Sequence, residues 1–355
     1  MRYSFTMDTL GLLAAVKHKK HNFDPRKIAP IGSRAAITGA PRTGKSSLLL
    51  ASAIESGEPF LYLDLEDDRV SIEQINAELG AYLSANSTRL LAIDNYDDRL
   101  ALNLSIDTIW LTQRKPRQIE GFTPQTLFAL DFEEYMAHSG KDDPRLRFDD
   151  FLRTGGLIEL SRLDETERIR KAQEILRILC DAPQKKAIFA WFLLRGANAL
   201  TPHQAYEALK SKIAVSKDTL YGYIQSLIDA QALFVAPKLG ATGAPRKFYP
   251  YDHALREAIS FDRALFKTFE TMIALELIKR KKTLNYADGI DLFVAQEDRA
   301  IIVAPFADKE RLNDRLKNVK IKAKKIEFIT MGFAAKIADR AEAIPFWEWA
   351  LMEGE

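Results

Sequence analysis

Cysteine is almost missing from this chain: Cys180 is the only one in 355 residues. That excludes a disulfide framework and any thiolate metal cluster built within one chain. Cys180 closes the apolar stretch Ile175–Cys180, where a lone thiol reads as core packing. No apolar run approaches the roughly 20 residues that cross a bilayer. The nearest, Leu10 to Val16, follows Asp8 and precedes the basic cluster Lys17 to Lys20. That order is the reverse of a secretory signal, and a cytoplasmic location is expected. An excess of either charge is lacking too. With a net charge of +2, a nucleic-acid surface would have to come from local clustering. Low-complexity tracts and internal repeats are absent, and a 47% hydrophobic, 28% charged composition is that of a globular protein. The length suits two or three domains.

From Arg34 to about residue 131, short apolar runs alternate with helical patterns, which predicts a parallel sheet wrapped by helices. The runs are Arg34–Thr38, Phe60–Asp64, Leu90–Asp94, Thr108–Thr112 and Thr126–Leu130. Their length fits strands buried on both faces. Residues 132–200 turn helical, with a break at Gly155-Gly156. Thr201 caps a helix that has Pro202 in its first turn. Helices over 202–211 and 216–230 precede strand-like Ala232–Pro237, a Gly/Pro turn and Lys247–Pro250, the outline of a winged helix. A helix over Asp262–Lys279, strand-like Ile290–Ala295 and Ala300–Val303, a basic helix and Glu327–Thr330 complete the chain. The aromatic stretch Pro345–Trp349 reads as a tie holding the terminus to its core.

Gly39-Ala40-Pro41-Arg42-Thr43-Gly44-Lys45-Ser46 fits G-x-x-x-x-G-K-[ST]. Glycines let consecutive main-chain N–H groups turn inward around a polyphosphate. A helix starting near Lys45 points its positive end at the same charge. Lys45 then reaches the terminal phosphates and Ser46 ligates Mg²⁺. The pattern arises by chance in about one chain in a hundred of this length. Here a strand precedes it and a helix follows it, which is the confirming context. The nucleotide-binding set is therefore Gly39, Ala40, Pro41, Arg42, Thr43, Gly44, Lys45, Ser46 and Ser47, with ATP and Mg²⁺ as ligands.

Arg89–Asp94 is an apolar strand ending in a carboxylate, the form of a Walker B element. Asp94 is expected to hold Mg²⁺ opposite Ser46. Asn95 follows where hydrolytic ATPases of this type usually place Glu, and an amide cannot accept the proton of an attacking water. Asp97 or Glu66 is a candidate substitute. Thr112 or Gln113, one strand later, stands where a γ-phosphate sensor is expected. Lys45, Asp94 and Thr112 form the expected catalytic set. Arg114, Lys115 and Arg117 read as phosphate contacts or as a solvated loop, the latter favoured for Lys115 and Arg117.

With Leu61–Glu66, Leu90–Asp94 and Leu111-Thr112, the phosphate loop resembles the AAA-type ATPases of bacteria and archaea that carry a winged helix and a nuclease-like C-terminal domain. Phe132–Tyr135, Phe151–Gly156, Ser216–Ile224 and Lys247–Asp252 extend the resemblance over most of the chain. Of these segments, only the phosphate loop is a specific motif. The resemblance implies an α/β fold: a P-loop NTPase core with an additional strand and parallel order 5-1-4-3-2. A helical and winged-helix region and a small α+β domain like a restriction nuclease complete it. The divisions are then 1–33 for an N-terminal helix and linker, 34–135 for the ATPase core and 136–200 for a helical lid. The winged helix takes 201–261 and the nuclease-like domain 262–355. In such a domain Glu270 and Asp291 match the first two metal-binding elements. Val303-Ala304-Pro305 replaces the Glu-x-Lys pair, so nuclease activity is not expected. Gly121–Pro124 also shortens the stretch around the fifth strand.

Lys217 on the second helix and Lys238, Arg246 and Lys247 on the ribbon offer phosphate contacts to duplex DNA. Asp218 and Asp229 on that helix argue instead for a protein partner, and either class stays open. The cations from Arg315 to Lys325 read as a solvated face. The function expected is a slow ATPase acting as a nucleotide-dependent switch. Its alternative is a DNA-binding or scaffold protein that holds nucleotide without turnover.

Overall fold

A computed structural model of the protein describes residues 26–69, 71–140 and 143–352. Of the N-terminal helix and linker expected over 1–33, residues 1–25 lie outside the described residues. The chain divides into two compact units, Met1–Leu127 and Phe128–Glu355.

In the first unit, β1 (Arg34–Thr38) leads into α1 (Lys45–Glu55), and β2 (Phe60–Asp64) into α2 (Ile72–Ala85). Then come β3 (Leu90–Asp94), β4 (Thr108–Thr112) and β5 (Thr123–Thr126). All five strands are parallel, in the expected order β2-β3-β4-β1-β5. Two-residue periodicity builds the two faces. Leu90 and Ala92 pack with Leu49 and Ala53 of α1, whereas Leu91 and Ile93 pack with Ile75 and Leu79 of α2. A buried leucine or isoleucine of this kind contributes about 2 kcal/mol. Ser71 caps α2 by accepting the N–H of Gln74.

The fifth strand departs from expectation. It is Thr123–Thr126, not Thr126–Leu130, and pairs with β1 from Ala35↔Thr123 to Thr38↔Thr126. An edge strand with its first residues exposed has no need of an apolar pattern, and an edge tolerates Pro124. The apolar run that mimicked it, Leu127–Leu130, is largely buried but makes no strand.

The second unit opens with α3 (Phe132–Ser139), α4 (Pro144–Thr154), α5 (Ile158–Ser161), α6 (Glu165–Leu179) and α7 (Pro183–Arg195). Next come β6 (Ala199–Leu200), α8 (Pro202–Leu209), α9 (Lys217–Asp229), β7 (Leu233–Ala236) and β8 (Arg246–Pro250). The three strands form an antiparallel sheet in the order β6-β8-β7. Thr201 caps α8 as expected, in a reciprocal capping box with Gln204. Then follow α10 (Leu265–Lys279), β9 (Leu284–Ala287), β10 (Ile290–Val294), β11 (Arg299–Val303) and α11 (Lys309–Lys317). β12 (Lys325–Thr330), β13 (Ala335–Ala338), β14 (Ala341–Pro345) and α12 (Phe346–Met352) complete the unit. Here a six-stranded mixed sheet runs β13-β14-β12-β11-β10-β9.

Phe346 and Trp349 are buried against Phe132, Phe148, Phe151 and Phe269, so the aromatic stretch does tie the C-terminal helix to the core. The indole N–H of Trp349 donates to Glu327 at 3.0 Å, satisfying the polar end of a buried ring. Cys180 is a buried free thiol, and burial pushes its pKa up to about 11. Among the described residues, no helix is long and apolar enough to cross a membrane.

Candidate functional site

The chain leaves β1 at Thr38 and turns into α1 through backbone that few residues adopt. Gly39 has φ 149°, and a Cβ there would stand 2.2 Å from the carbonyl oxygen of Leu127. Gly44, with φ 95°, precedes the helix in the left-handed region, and Arg42 holds φ 65° without a glycine's freedom. The loop is braced from within. Thr43 donates its hydroxyl to the Ala40 carbonyl at 3.0 Å, and Arg26 reaches the Thr43 carbonyl at 2.9 Å.

The ammonium of Lys45 folds back over this loop, donating to the carbonyls of Gly39 at 2.9 Å and Ala40 at 3.0 Å. Burial lowers its pKa to about 8; the Asp94 charge works against that shift and Arg114 adds to it. Gly44 supplies no side-chain cap, and the first turn of α1 holds no acidic residue. The N–H groups of that turn therefore keep their donor capacity and the helix keeps its positive end uncompensated. This donor set suits a polyphosphate. Ser46 and Ser47 are exposed at the same turn. For a hard divalent cation, the oxygen donors on hand are the Ser46 hydroxyl and the Asp94 carboxylate.

Asp94, at the end of β3, is 2% exposed and surrounded by donors. Tyr62 donates to its Oδ2 at 3.0 Å, while Oδ1 accepts the Thr112 hydroxyl and the Asn95 N–H. The Asn95 N–H also reaches the Thr112 oxygen at 2.9 Å. Burial and then the Asp94 charge hold the Tyr62 hydroxyl protonated far above the ordinary tyrosine range. Lys45, Asp94 and Thr112 are thus brought together, while Ser46 makes no described side-chain bond to Asp94.

Asn95 has φ 54° and donates its amide to Asp64 Oδ1 at 3.0 Å. Parallel pairing sets Asp64 beside Asp94, residue for residue, at the ends of β2 and β3. Glu66 pairs with Arg114, and Arg117 with Asp98 at 2.5 Å. Sequence reasoning missed Tyr62 and Asp64, because neither belongs to a spacing motif. Tyr62 reads only as a residue of an apolar strand, and Asp64 only as its end.

A second polar cluster lies in the other unit. Glu270 accepts from Lys247 Nζ at 2.6 Å and from the Tyr249 hydroxyl at 2.9 Å. Burial raises its pKa to about 7, against the pull of the Lys247 charge. The same ammonium donates to the Asp291 carbonyl at 3.1 Å, and the Asp291 carboxylate accepts from the Val303 N–H and from Arg315. A cavity of about 280 Å³ opens between Lys247, Tyr286, Asp291, Arg315 and Asn318. Among the described residues, no group of three or more His, Cys, Asp or Glu side chains is arranged to hold a metal ion.

Of the ribbon cations, Lys247 departs from expectation: it is buried on Glu270, whereas Lys238 makes a surface pair with Asp288 at 2.8 Å. Arg246 lies over the Phe248 ring. The cause is tertiary: the segment that follows β7 is bridged to β9, where Tyr286 exchanges main-chain bonds with Pro237 and Leu239.

No protein-family model matches the chain, and no curated protein matches it. One solved structure it is similar to is the AMPPCP-bound DnaA of Aquifex aeolicus, at 14% identity. That match covers 62% of this chain and 86% of the other, with a TM-score of 0.26. So loose a superposition says nothing of function. The phosphate loop and the side chains around it do.

Proposed function

We propose that the protein binds ATP with Mg²⁺ through the loop from Gly39 to Ser47 and hydrolyses it slowly, as a nucleotide-dependent switch. The observation that carries this reading is the ammonium of Lys45, held inside the loop between two carbonyls and across from Asp94. A bound polyphosphate gives that ammonium a stronger acceptor than a neutral carbonyl, and the loop N–H groups supply the remaining donors. Mg²⁺, when bound, shields the phosphate oxygens; the Ser46 hydroxyl and Asp94 would hold it, Asp94 through water. Thr112 keeps the Asp94 carboxylate oriented, and release of its hydroxyl towards a terminal phosphate gives it the sensor role.

Within this reading α8, α9 and the β7–β8 ribbon form a winged helix that meets a protein partner rather than duplex DNA. Burial of Lys247 on Glu270 supports that choice. The segment 262–355 acts as a nuclease-like domain without nuclease activity, since the ammonium of Lys247 lies between its two carboxylates. The second reading is a scaffold that holds nucleotide without turnover, favoured by the amide at Asn95.

Calorimetric titration with Mg-ATP tests the site. Lys45→Ala is expected to weaken binding by at least about tenfold, one charge-assisted hydrogen bond being worth about 1.5–3 kcal/mol. Unchanged affinity would place the nucleotide elsewhere. Phosphate release at background level in the wild type would select the scaffold.

A further inference from the structure

Asn95 cannot take a proton, yet its amide is aimed at a group that can. We infer that Asp64 is the carboxylate that accepts the proton of the attacking water, with Asn95 as the residue that positions it. This inference rests on the ATPase reading above and names the base which that reading lacks.

Asp64 stands apart from every neighbouring carboxylate. At the ends of β2 and β3 and in the turns beyond them, Glu66 is paired with Arg114, Asp67 with Arg69, Asp97 with Arg99 and Asp98 with Arg117. An arginine partner occupies the carboxylate oxygens that would otherwise face a water. Asp94 already accepts from Tyr62, Thr112 and Asn95. Asp68 is exposed beyond the strand. Asp64, by contrast, is half-buried, and its described donors are neutral: the Asn95 amide and the Glu66 N–H, both on Oδ1 at 3.0 Å. Its other oxygen has no described donor.

The register of β2 and β3 sets Asp64 directly beside Asp94, and the left-handed turn at Asn95 directs the amide across to it. The two side chains thus form a carboxylate–carboxamide pair, with the acid on β2 and the amide following β3. In the step proposed, a water oxygen bonds to the γ-phosphorus while the bond from that phosphorus to the β–γ bridging oxygen breaks. The water proton passes to Asp64, ADP and inorganic phosphate leave, and Asp64 returns the proton to solvent.

The test compares ATP affinity by calorimetry, phosphate release, and retention of radiolabelled ATP after gel filtration. It uses the full chain, Asp64→Asn, Asp97→Asn, and the exchange Asp64→Asn with Asn95→Asp. Asp64→Asn is expected to keep wild-type affinity, retain uncleaved ATP and release phosphate at least 100-fold more slowly. The exchange variant is expected to regain turnover to within about tenfold of wild type, which a merely structural role for Asp64 would not produce. Asp97→Asn should stay near wild type. Near-wild-type turnover in Asp64→Asn overturns the inference and leaves the ATPase reading standing, whereas a wild type that binds ATP without cleaving it overturns both and selects the scaffold. A wild type that shows no ATP binding at all overturns the ATPase reading itself, an outcome distinct from the other two.

Discussion

The Tyr62 hydroxyl donates to Oδ2 of Asp94 at 3.0 Å, so a strand residue fills one of the two oxygens through which Asp94 would face a hydrated metal. Replacement by phenylalanine removes a hydrogen bond to a charged group. Tyr62→Phe is therefore expected to lower stability by about 1–2 kcal/mol. At the same time it frees Oδ2, so half-maximal nucleotide binding should need less Mg²⁺. Chemical denaturation and a magnesium titration at fixed ATP measure the two effects. Unchanged magnesium dependence would mean that Asp94 takes no part in holding the ion.

Lys45 gives the site a pH dependence. Its pKa, lowered to about 8 chiefly by burial, must rise when an anion replaces the carbonyls, so binding takes up a proton above that pH. Affinity for ATP is expected to be flat from about pH 6.5 to 7.5. It should then weaken by up to about tenfold per unit above pH 8. Calorimetry in two buffers of different ionisation enthalpy counts the proton directly.

Gly39 tolerates no side chain. A methyl group there meets the Leu127 carbonyl at 2.2 Å, both being main-chain constraints that cannot swing aside, and the φ of 149° adds strain. Gly39→Ala is expected to destabilise the first unit by about 2–4 kcal/mol and to weaken nucleotide binding, because the loop must move away from β5. Thermal unfolding with and without Mg-ATP reads both losses.

Lys247 and Glu270 form a buried pair whose balance shifts with pH. The folded-state pKa of Glu270 is raised to about 7 by burial, so the native protein retains a proton that the unfolded chain releases near the ordinary carboxylate value. Its contribution to stability is thus greatest below that value and declines as pH rises towards 7. Lys247→Met removes the cation that opposes this shift and leaves Glu270 without an ammonium partner. The penalty should be greater at pH 8 than at about pH 5.5 by about 1.4 kcal/mol, the worth of one proton held over one pH unit above 7. Adding Glu270→Gln should restore most of it. Urea unfolding at the two pH values checks the sign.

Much of the first unit is legible in the sequence because its information is local. Each of the strands β1 to β4 is an apolar run of five residues, and the phosphate loop is one contiguous motif between a strand and a helix. β5 escapes for the opposite reason. Its residues, Thr123–Thr126, carry no apolar signal, and only pairing with β1 makes them a strand. β14, with the sequence Ala-Glu-Ala-Ile-Pro, is held in parallel register by β12 despite weak intrinsic preference and is likewise invisible in the sequence.

The sequence by itself determined the phosphate loop, the left-handed glycine before α1 and the carboxylate closing β3, since spacing and backbone permission along a few residues suffice for these. Tertiary structure alone decided which side chains answer one another. Asp64 meets Asn95 across 31 positions of chain because β2 and β3 lie side by side. Lys247 meets Glu270 instead of solvent because the ribbon is bridged to β9. Such pairings depend on strand order and register, which couple distant residues and leave no periodic mark in the chain.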